Sequence, residues 1–120
     1  MKTISDKKPL VIQPLGNGAY YYNYNIVEKS ETTETGETHV YYECDTVKIW
    51  NEPTYEKAVK AVIREDLDET QEFCIINEYN AGVLGVITDA AKKAEAKATY
   101  KEYLAKVVAI KEMVKKDLNA

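Results

Sequence analysis

The chain has 120 residues, 45% hydrophobic and 30% charged, a composition that excludes wholesale disorder and suits one folded domain. Its formal net charge of -4 argues against nucleic acid as the main partner, because phosphate contacts need clustered Lys and Arg. Two cysteines make no disulfide framework, and no apolar run approaches the ~20 residues that cross a bilayer. The polar residues 1–8 lack the apolar stretch of a signal peptide, so we expect a protein that is not secreted by that route.

The first half of the chain is predicted to form β structure. Residues 1–17 are predicted to be an extended arm or edge strand, because residues 10–12 are apolar and lie between two prolines. Residues 18–50 are rich in tyrosine and β-branched residues and are predicted to form an antiparallel β-hairpin. Its strands flank residues 29–37, a polar segment predicted to be a loop. A shift in the phase of the apolar residues predicts a β-bulge near residues 45–46.

The second half of the chain is predicted to be helical. Residues 54–80 have the spacing of two helices, the first capped by Thr54 and carrying Ala58, Val59 and Val62 on one face. Asp68 with Gln71 fits a capping box at the start of the second, whose inner side includes Phe73, and Gly82 with Gly85 marks a break after it. Residues 88–118 are predicted to form one long helix capped by Thr88. The sequence therefore predicts an α+β fold in a single domain. It consists of an N-terminal β-hairpin or three-stranded sheet, two short helices and a long C-terminal helix over residues 1–120.

Charge is unevenly distributed along this arrangement. Residues 89–120 carry eight Lys and five acidic residues, a net charge of +3, whereas residues 1–88 carry eight basic and 15 acidic residues, a net charge of -7. Opposite charges on the two parts favour contact between them, within one chain or between neighbouring copies.

The long helix carries an apolar stripe with two possible roles. Its members follow the 3-4-3-4 spacing of a heptad seam and are Tyr100, Tyr103, Val107, Ile110 and Val114. Further apolar residues broaden the stripe beyond a strict seam, which favours packing on a domain core. A homo-oligomer formed through this helix is the alternative.

The tyrosine-rich hairpin is the candidate binding region. Tyrosine offers a large contact area and a hydroxyl that bonds when partly buried, so it is enriched in recognition surfaces. The candidate binding residues are Tyr20, Tyr21, Tyr22, Tyr24, Tyr41, Tyr42 and Trp50. Strand alternation places Tyr20, Tyr22 and Tyr24 on one face, which either packs beneath the helices or forms a stacking platform for a partner. Residues of the other face, such as Tyr21 or Tyr41, are then expected to point outward.

Residues that could support catalysis are sparse. His39 is the only histidine, and no Ser or Cys beside it forms an obvious nucleophile pair. Cys44 and Cys74 have no metal-binding spacing, and we expect both to behave as small buried apolar residues. The acidic residues 65–72 resemble the opening of a calcium loop but lack its glycine and final glutamate, so a helix N-terminus is favoured. The sequence predicts no enzyme, no metal and no cofactor.

Three segments carry a resemblance to a group of known proteins. They are Leu-Gly-Asn-Gly-Ala-Tyr-Tyr-Tyr-Asn-Tyr at 15–24, Trp-Asn-Glu-Pro-Thr-Tyr-Glu-Lys at 50–57 and Glu-Phe-Cys-Ile-Ile-Asn-Glu-Tyr-Asn at 72–80. Together they resemble small uncharacterised proteins encoded by tailed phages and prophages of gut Bacteroides, including crAss-like phages. The resemblance implies a phage context, with the protein in the virion or the host-cell cytoplasm. It implies no activity and no functional residues.

Two functions are compatible with these features. The leading hypothesis is a non-enzymatic phage protein, a virion component or an assembly factor, that contacts virion proteins, itself or both. The alternative is a phage-encoded inhibitor of a host defence protein or signal, acting by acidic mimicry or by sequestering a ligand. Neither hypothesis requires nucleic acid or a membrane as a partner.

Overall fold

Four antiparallel strands followed by three helices form the fold of residues 1–119, which a computed structural model describes. The predicted α+β class, with its long C-terminal helix, is confirmed. The sheet has the order β1-β4-β3-β2. The elements are β1 Lys2–Ser5, β2 Ile12–Pro14, β3 Ala19–Thr32, β4 Thr38–Trp50, α1 Tyr55–Asp66, α2 Glu69–Val83 and α3 Ala90–Leu118. The predicted domain spans residues 1–120, of which Ala120 lies outside the described residues.

The N-terminal arm supplies two strands where the sequence predicts one at most. β2 pairs with β3, and β1 pairs with β4 on the other side of the hairpin, with Thr3 opposite Cys44. The β1 segment is polar and short, so its pattern does not distinguish it from coil. Backbone hydrogen bonds to the edge of β4 make it a strand, and these depend on the partner and not on the local sequence.

The central hairpin is longer than predicted. β3 continues to Thr32, which lies opposite Thr38, so the predicted loop of residues 29–37 shrinks to a turn. Gly36 adopts a φ of 84°, and its amide donates to the carbonyl of Thr33 at 2.9 Å. An antiparallel ladder satisfies backbone groups whether or not the side chains are buried, so a polar segment can extend a hairpin into solvent.

The hairpin contains the predicted bulge, but the extra residue lies in the opposite strand. Tyr24 pairs with Asp45 and Val27 with Glu43, so two residues of β3 face one of β4. Asn25 occupies the bulge with a φ of 52°, a conformation that Asn tolerates better than most residues. β4 itself alternates regularly, and its apolar residues change phase because those near Cys44 and those near Val47 belong to different faces of the sheet.

One face of the sheet packs against α1 and the end of α3 to form the core. The α1 residues Ala58, Val59 and Val62 are buried at helical spacing, as predicted, and Thr54 caps the helix by accepting a bond from the Lys57 amide. The buried cluster comprises Tyr22, Tyr24, Val47, Ile49, Ala58, Val59, Val62 and Val114.

The other face of the sheet is covered in part by the N-terminal arm. The side-chain amide of Asn23 donates to the carbonyl of Leu10 at 2.8 Å, and its Oδ1 accepts from the Thr46 hydroxyl at 2.7 Å. Asn23, Thr46 and Cys44 are all buried there. Thr46 also shares a hydrogen bond of 2.9 Å with the hydroxyl of Thr3 in β1. This polar network links the N-terminal arm to the hairpin.

α2 and the start of α3 form an extension outside this core. We call α2 with residues 90–103 the helical arm. The predicted capping box at Asp68 and Gln71 is present, yet none of the 15 residues of α2 is buried. Its inner side carries Glu72 and Tyr79, whereas Phe73, predicted to face inward, is 58% exposed. Cys74 is also exposed, contrary to prediction, because α2 packs on one helix only and Cys74 lies off that contact.

The N-cap of the long helix lies one residue later than predicted. Asp89, not Thr88, is the N-cap, and its Oδ1 accepts from the Lys92 amide at 3.1 Å. α3 spans 29 residues, or about 43 Å at ~1.5 Å per residue. Its length contributes to an elongated molecule of 63 × 39 × 22 Å with a radius of gyration of 19.3 Å, against about 14 Å for a compact chain of this size. Within residues 1–119, no helix combines the length and apolarity needed to cross a membrane.

Candidate functional site

Two of the candidate binding tyrosines lie in the core. Tyr22 is fully buried and Tyr24 is 7% exposed, with ring centroids 5.2 Å apart. The Tyr22 hydroxyl donates a 2.6 Å hydrogen bond to the Asp117 carboxylate. Burial, together with this bond, raises the pKa of Tyr22 well above its ordinary value, and burial raises the pKa of Tyr24 to about 12. Both side chains therefore stabilise the domain and are not accessible to a partner.

The other hairpin aromatics do not form one platform. Tyr21 lines a shallow groove of about 410 Å³ beside Leu10, on the face away from the helices. Trp50 is 56% exposed on that face, with Nζ of Lys48 4.3 Å from its ring centroid. Tyr20, on the helix-facing side, is partly buried. The accessible aromatics of this end are thus divided between two sides of the sheet.

Tyr41 and Tyr42 lie further along β4 and are partly buried. As neighbours in a strand they point to opposite faces. The Tyr41 ring stacks against His39 at 6.2 Å, and Nε2 of His39 lies 3.1 Å from the Asp6 carboxylate. His39 and Asp6 are both exposed, so this pair has no enclosed space in which to act on a substrate. Among residues 1–119, no three His, Cys, Asp or Glu side chains come together as a metal site.

The apolar stripe of α3 divides into two parts with different partners. Val114 is fully buried in the core, and Ile110 packs against that cluster. Tyr100 lies at the other end, stacked on Tyr79 of α2 with centroids 4.5 Å apart. Val107 lies between the two parts and lines an open groove. The residues predicted as a core or oligomer face therefore pack within the chain, except around Val107.

A charged network joins α1, α2 and α3 at the base of the arm. Oε1 of Glu72 accepts from Arg64 at 3.0 Å, and Oε2 accepts from the Tyr103 hydroxyl at 2.6 Å. The bonds from Arg64 and Tyr103 lower the pKa of Glu72, and burial with the Glu72 bond raises the pKa of Tyr103 to about 12. Because Arg64 lies in α1, this network links α2 of the helical arm to the helix that packs on the sheet.

An apolar groove lies next to this network, where α1, α2 and α3 diverge. It has a volume of about 610 Å³ and is open to solvent. Its larger apolar lining residues, which define the helix groove, are Ile63, Leu67, Ile75, Tyr103, Val107 and Ile110, and Ala105 also lines it. Asp66, Glu102 and Lys106 add charge to its lining. A second groove of about 600 Å³ adjoins it at the β-bulge and shares Asp66 and Lys106. The two form one concave surface that can accept apolar side chains and has mainly acidic flanks.

The far end of the arm exposes apolar side chains that the sequence analysis did not select. Val83 is 65% exposed, Leu84 78% and Val86 77%; we call these three residues the apolar tip. They lie at the last residue of α2 and in the turn that follows it, where the sequence indicated only a break at two glycines. The run Val-Leu-Gly-Val-Ile at 83–87 was the available signal, because turns between exposed helices are normally polar.

Comparisons of the chain with protein-family models, with curated proteins and with solved structures found no match.

Proposed function

We propose that this protein is a non-enzymatic interaction protein that acts through protein–protein contacts of its helical arm and the adjacent groove. The observation that carries the proposal is α2, a capped 15-residue helix that buries none of its residues. Isolated helices of this length are marginal in water, and tertiary packing normally supplies their stability. A second contact surface on a partner would complete the packing that α3 alone provides.

The exposed side chains of the arm support this proposal. Phe73 is 58% exposed on α2, and the apolar tip lies at the far end of the same helix. Scattered exposed apolar residues are ordinary, but several on one projecting element are typical of an interaction site. The radius of gyration of 19.3 Å reflects an elongated molecule, and the exposed residues of the helical arm lie where a partner can reach them.

The phage setting of the proposal comes from the sequence resemblance. In that setting the protein acts as a virion component or as an assembly factor, with virion proteins, further copies of itself or both as partners. Mass spectrometry of purified particles, combined with crosslinking in infected cells, separates these roles. A component is present in finished particles, whereas an assembly factor crosslinks to virion proteins and is absent from particles.

A matched pair of variants tests whether the arm makes the contact. Phe73→Ser removes an exposed aromatic ring from α2, and we expect it to reduce the crosslinks to virion proteins about tenfold. Asn77→Ser changes an exposed residue one helical turn away and serves as the control. Normal crosslinking by Phe73→Ser would contradict the role of the arm. Absence of the wild-type protein from both particles and crosslinks would contradict the function itself.

The acidic end of the β-hairpin favours the second candidate function, inhibition of a host defence protein. Beyond the bulge, β3, the turn and β4 carry five glutamates and one lysine, and most are exposed. A projecting acidic strand pair could imitate the acidic surface of a natural ligand. Replacing Glu34 and Glu37 by Lys should then abolish protection of phage in a defended host, whereas Phe73→Ser should leave protection intact. Protection by the lysine variant would reject this candidate.

A further inference from the structure

The apolar tip is held in one conformation by its own backbone bonds. The amides of Val86 and Ile87 donate to the carbonyl of Ala81 at 2.9 and 3.1 Å, and the amide of Leu84 donates to Asn80 at 2.8 Å. Gly85 turns the chain with a φ of 79°. The three exposed side chains are therefore presented by a closed turn, and docking them costs little ordering of the backbone.

The helix groove has the size and lining to receive such a tip. An apolar cavity of about 150 Å³ accommodates one benzene-sized group, so the groove volume of about 610 Å³ has room for three aliphatic side chains. Its lining from three helices is aliphatic and aromatic, which suits Val and Leu. Within residues 1–119 no side chain of the same molecule occupies it.

Charge around the two features is complementary. At the base of the apolar tip, Lys92 and Lys93 in the first turn of α3 outnumber one acidic residue, the N-cap Asp89. The groove has Asp66 and Glu102 in its lining, and the adjoining groove adds Asp45 and Glu65, against Lys106 and the terminal ammonium of Met1, which pairs with Glu65. Basic residues beside the tip and acidic residues beside the groove favour contact between a tip and a groove over contact between two tips or two grooves.

The tip cannot reach the groove of its own chain. Along α3 the tip lies about 20 to 30 Å from the groove residues Tyr103 and Ile110, at ~1.5 Å per residue, on a continuous helix. The contact is therefore between molecules, and the two surfaces that meet are different. A contact of this kind is heterologous and propagates, either closing into a ring or continuing as a filament.

We propose that the apolar tip of one copy docks in the helix groove of the next, so that the protein assembles head to tail. This deepens the function proposed above, on which it rests, by naming the partner of the groove as a second copy of the chain. Each exposed aliphatic residue that becomes buried should strengthen association about tenfold or more.

Two variants, each damaging one surface, test the assembly. Leu84→Asp places a charge at the centre of the tip, and Ala105→Trp fills the groove from an exposed helix position. The controls are Val108→Asp, at an exposed α3 residue outside the groove, and Ala98→Trp, at an exposed alanine outside it. Circular dichroism verifies that all four variants keep the helix content of the wild type. Sedimentation velocity over a series of concentrations then measures their association.

The wild type and both controls should show a mass that rises with concentration, and each surface variant alone should associate at least tenfold more weakly. Mixing the two surface variants should restore a one-to-one heterodimer, because Leu84→Asp keeps an intact groove and Ala105→Trp keeps an intact tip. A wild type that remains monomeric at millimolar concentration overturns the proposal, as does a mixture that forms no heterodimer.

Two further outcomes separate this proposal from the function on which it rests. A monomeric wild type that still crosslinks to virion proteins would reject self-assembly and retain the interaction function. Binding of the monomer to phosphatidylglycerol vesicles that is lost in Leu84→Asp would assign the tip to a lipid surface and reject docking in the groove.

Discussion

The hydroxyl of Tyr22 donates a 2.6 Å hydrogen bond to Oδ2 of Asp117, 95 residues further along the chain. Tyr22 lies in the middle of the sheet and is fully buried, whereas Asp117 lies in the last turn of α3. This bond gives a buried phenol its partner and fixes the end of α3 against β3. The base of the long helix is thereby held while its other half extends into the arm.

Replacing Tyr22 by Phe should lower the free energy of unfolding by about 1.5 to 3 kcal/mol, the usual contribution of a hydrogen bond to a charged group. Urea denaturation at neutral pH measures the loss. Tyr20→Phe is the matched control, because the Tyr20 hydroxyl makes no hydrogen bond within residues 1–119, and its effect should stay within about 0.5 kcal/mol. Equal losses in both variants would show that the bond to Asp117 contributes nothing specific.

The raised tyrosine pKa values predict loss of stability in alkali. Folding raises the pKa of Tyr24 and of Tyr103 to about 12, so the folded protein holds protons that the unfolded chain releases near pH 10. The contribution of these two tyrosines to the free energy of unfolding is complete below pH 10 and is lost as the pH rises from 10 towards 12. Tyr103→Phe should weaken this alkaline dependence, which denaturant titrations at several pH values would detect. An unchanged dependence in the variant would contradict the assignment.

The Glu72 network predicts a loss of stability in acid. Bonds from Arg64 and Tyr103 lower the pKa of Glu72, so its stabilisation is complete above the unfolded-state pKa of about 4.3 and is lost as the pH falls through the folded-state value. Glu72→Gln should lower the free energy of unfolding by about 1 to 2 kcal/mol at neutral pH. It should also reduce the fall of this free energy as the pH is lowered. Glu78→Gln, on the exposed side of α2, is the control and should change neither quantity.

The left-handed backbone of Asn25 in the bulge predicts how substitutions at this position change the stability of the protein. With a φ of 52°, replacement by Val should cost about 1 to 2 kcal/mol, whereas Gly should be tolerated within a few tenths of a kcal/mol. The side-chain amide of Asn25 also donates a weak 3.3 Å hydrogen bond to the Asp45 carboxylate. Asn25→Ala therefore loses this bond and also part of the backbone stability. Thermal unfolding of the three variants should rank Gly above Ala and Ala above Val. A Val variant as stable as the Gly variant would argue against the bulge.

The two cysteines should differ in reactivity because only one is accessible. Cys44 is 2% exposed beneath the N-terminal arm, and Cys74 lies exposed on α2. A thiol reagent in excess should modify one cysteine rapidly in the native protein and both in denaturant. Cys74→Ser should remove the rapid reaction, whereas Cys44→Ser should preserve it. Rapid modification of both thiols in the native state would mean that the N-terminal arm does not cover Cys44.

Local signals in the sequence were enough for the class of fold and for the order of its hairpin and three helices. The capping box at Asp68 starts α2 as predicted, and alternation placed Tyr22 and Tyr24 on one face, although it left open whether that face packs beneath the helices or binds a partner. A cap or an alternating pattern acts over two to four residues, so it can be read without knowing the rest of the chain. The same reasoning could not place the bulge on the correct strand, because register depends on how both strands pair.

Composition and local pattern are enough to identify an α+β chain of 120 residues with a net charge of -4 and no apolar span long enough for a bilayer. The packing of the helices, in contrast, leaves Phe73 and Cys74 facing solvent, exposes the apolar tip at Leu84 and opens a groove between α1, α2 and α3. These features depend on how two surfaces meet, and a local pattern describes only one of them. A helix pattern marks which residues could be covered, but the position of its neighbours decides which ones are.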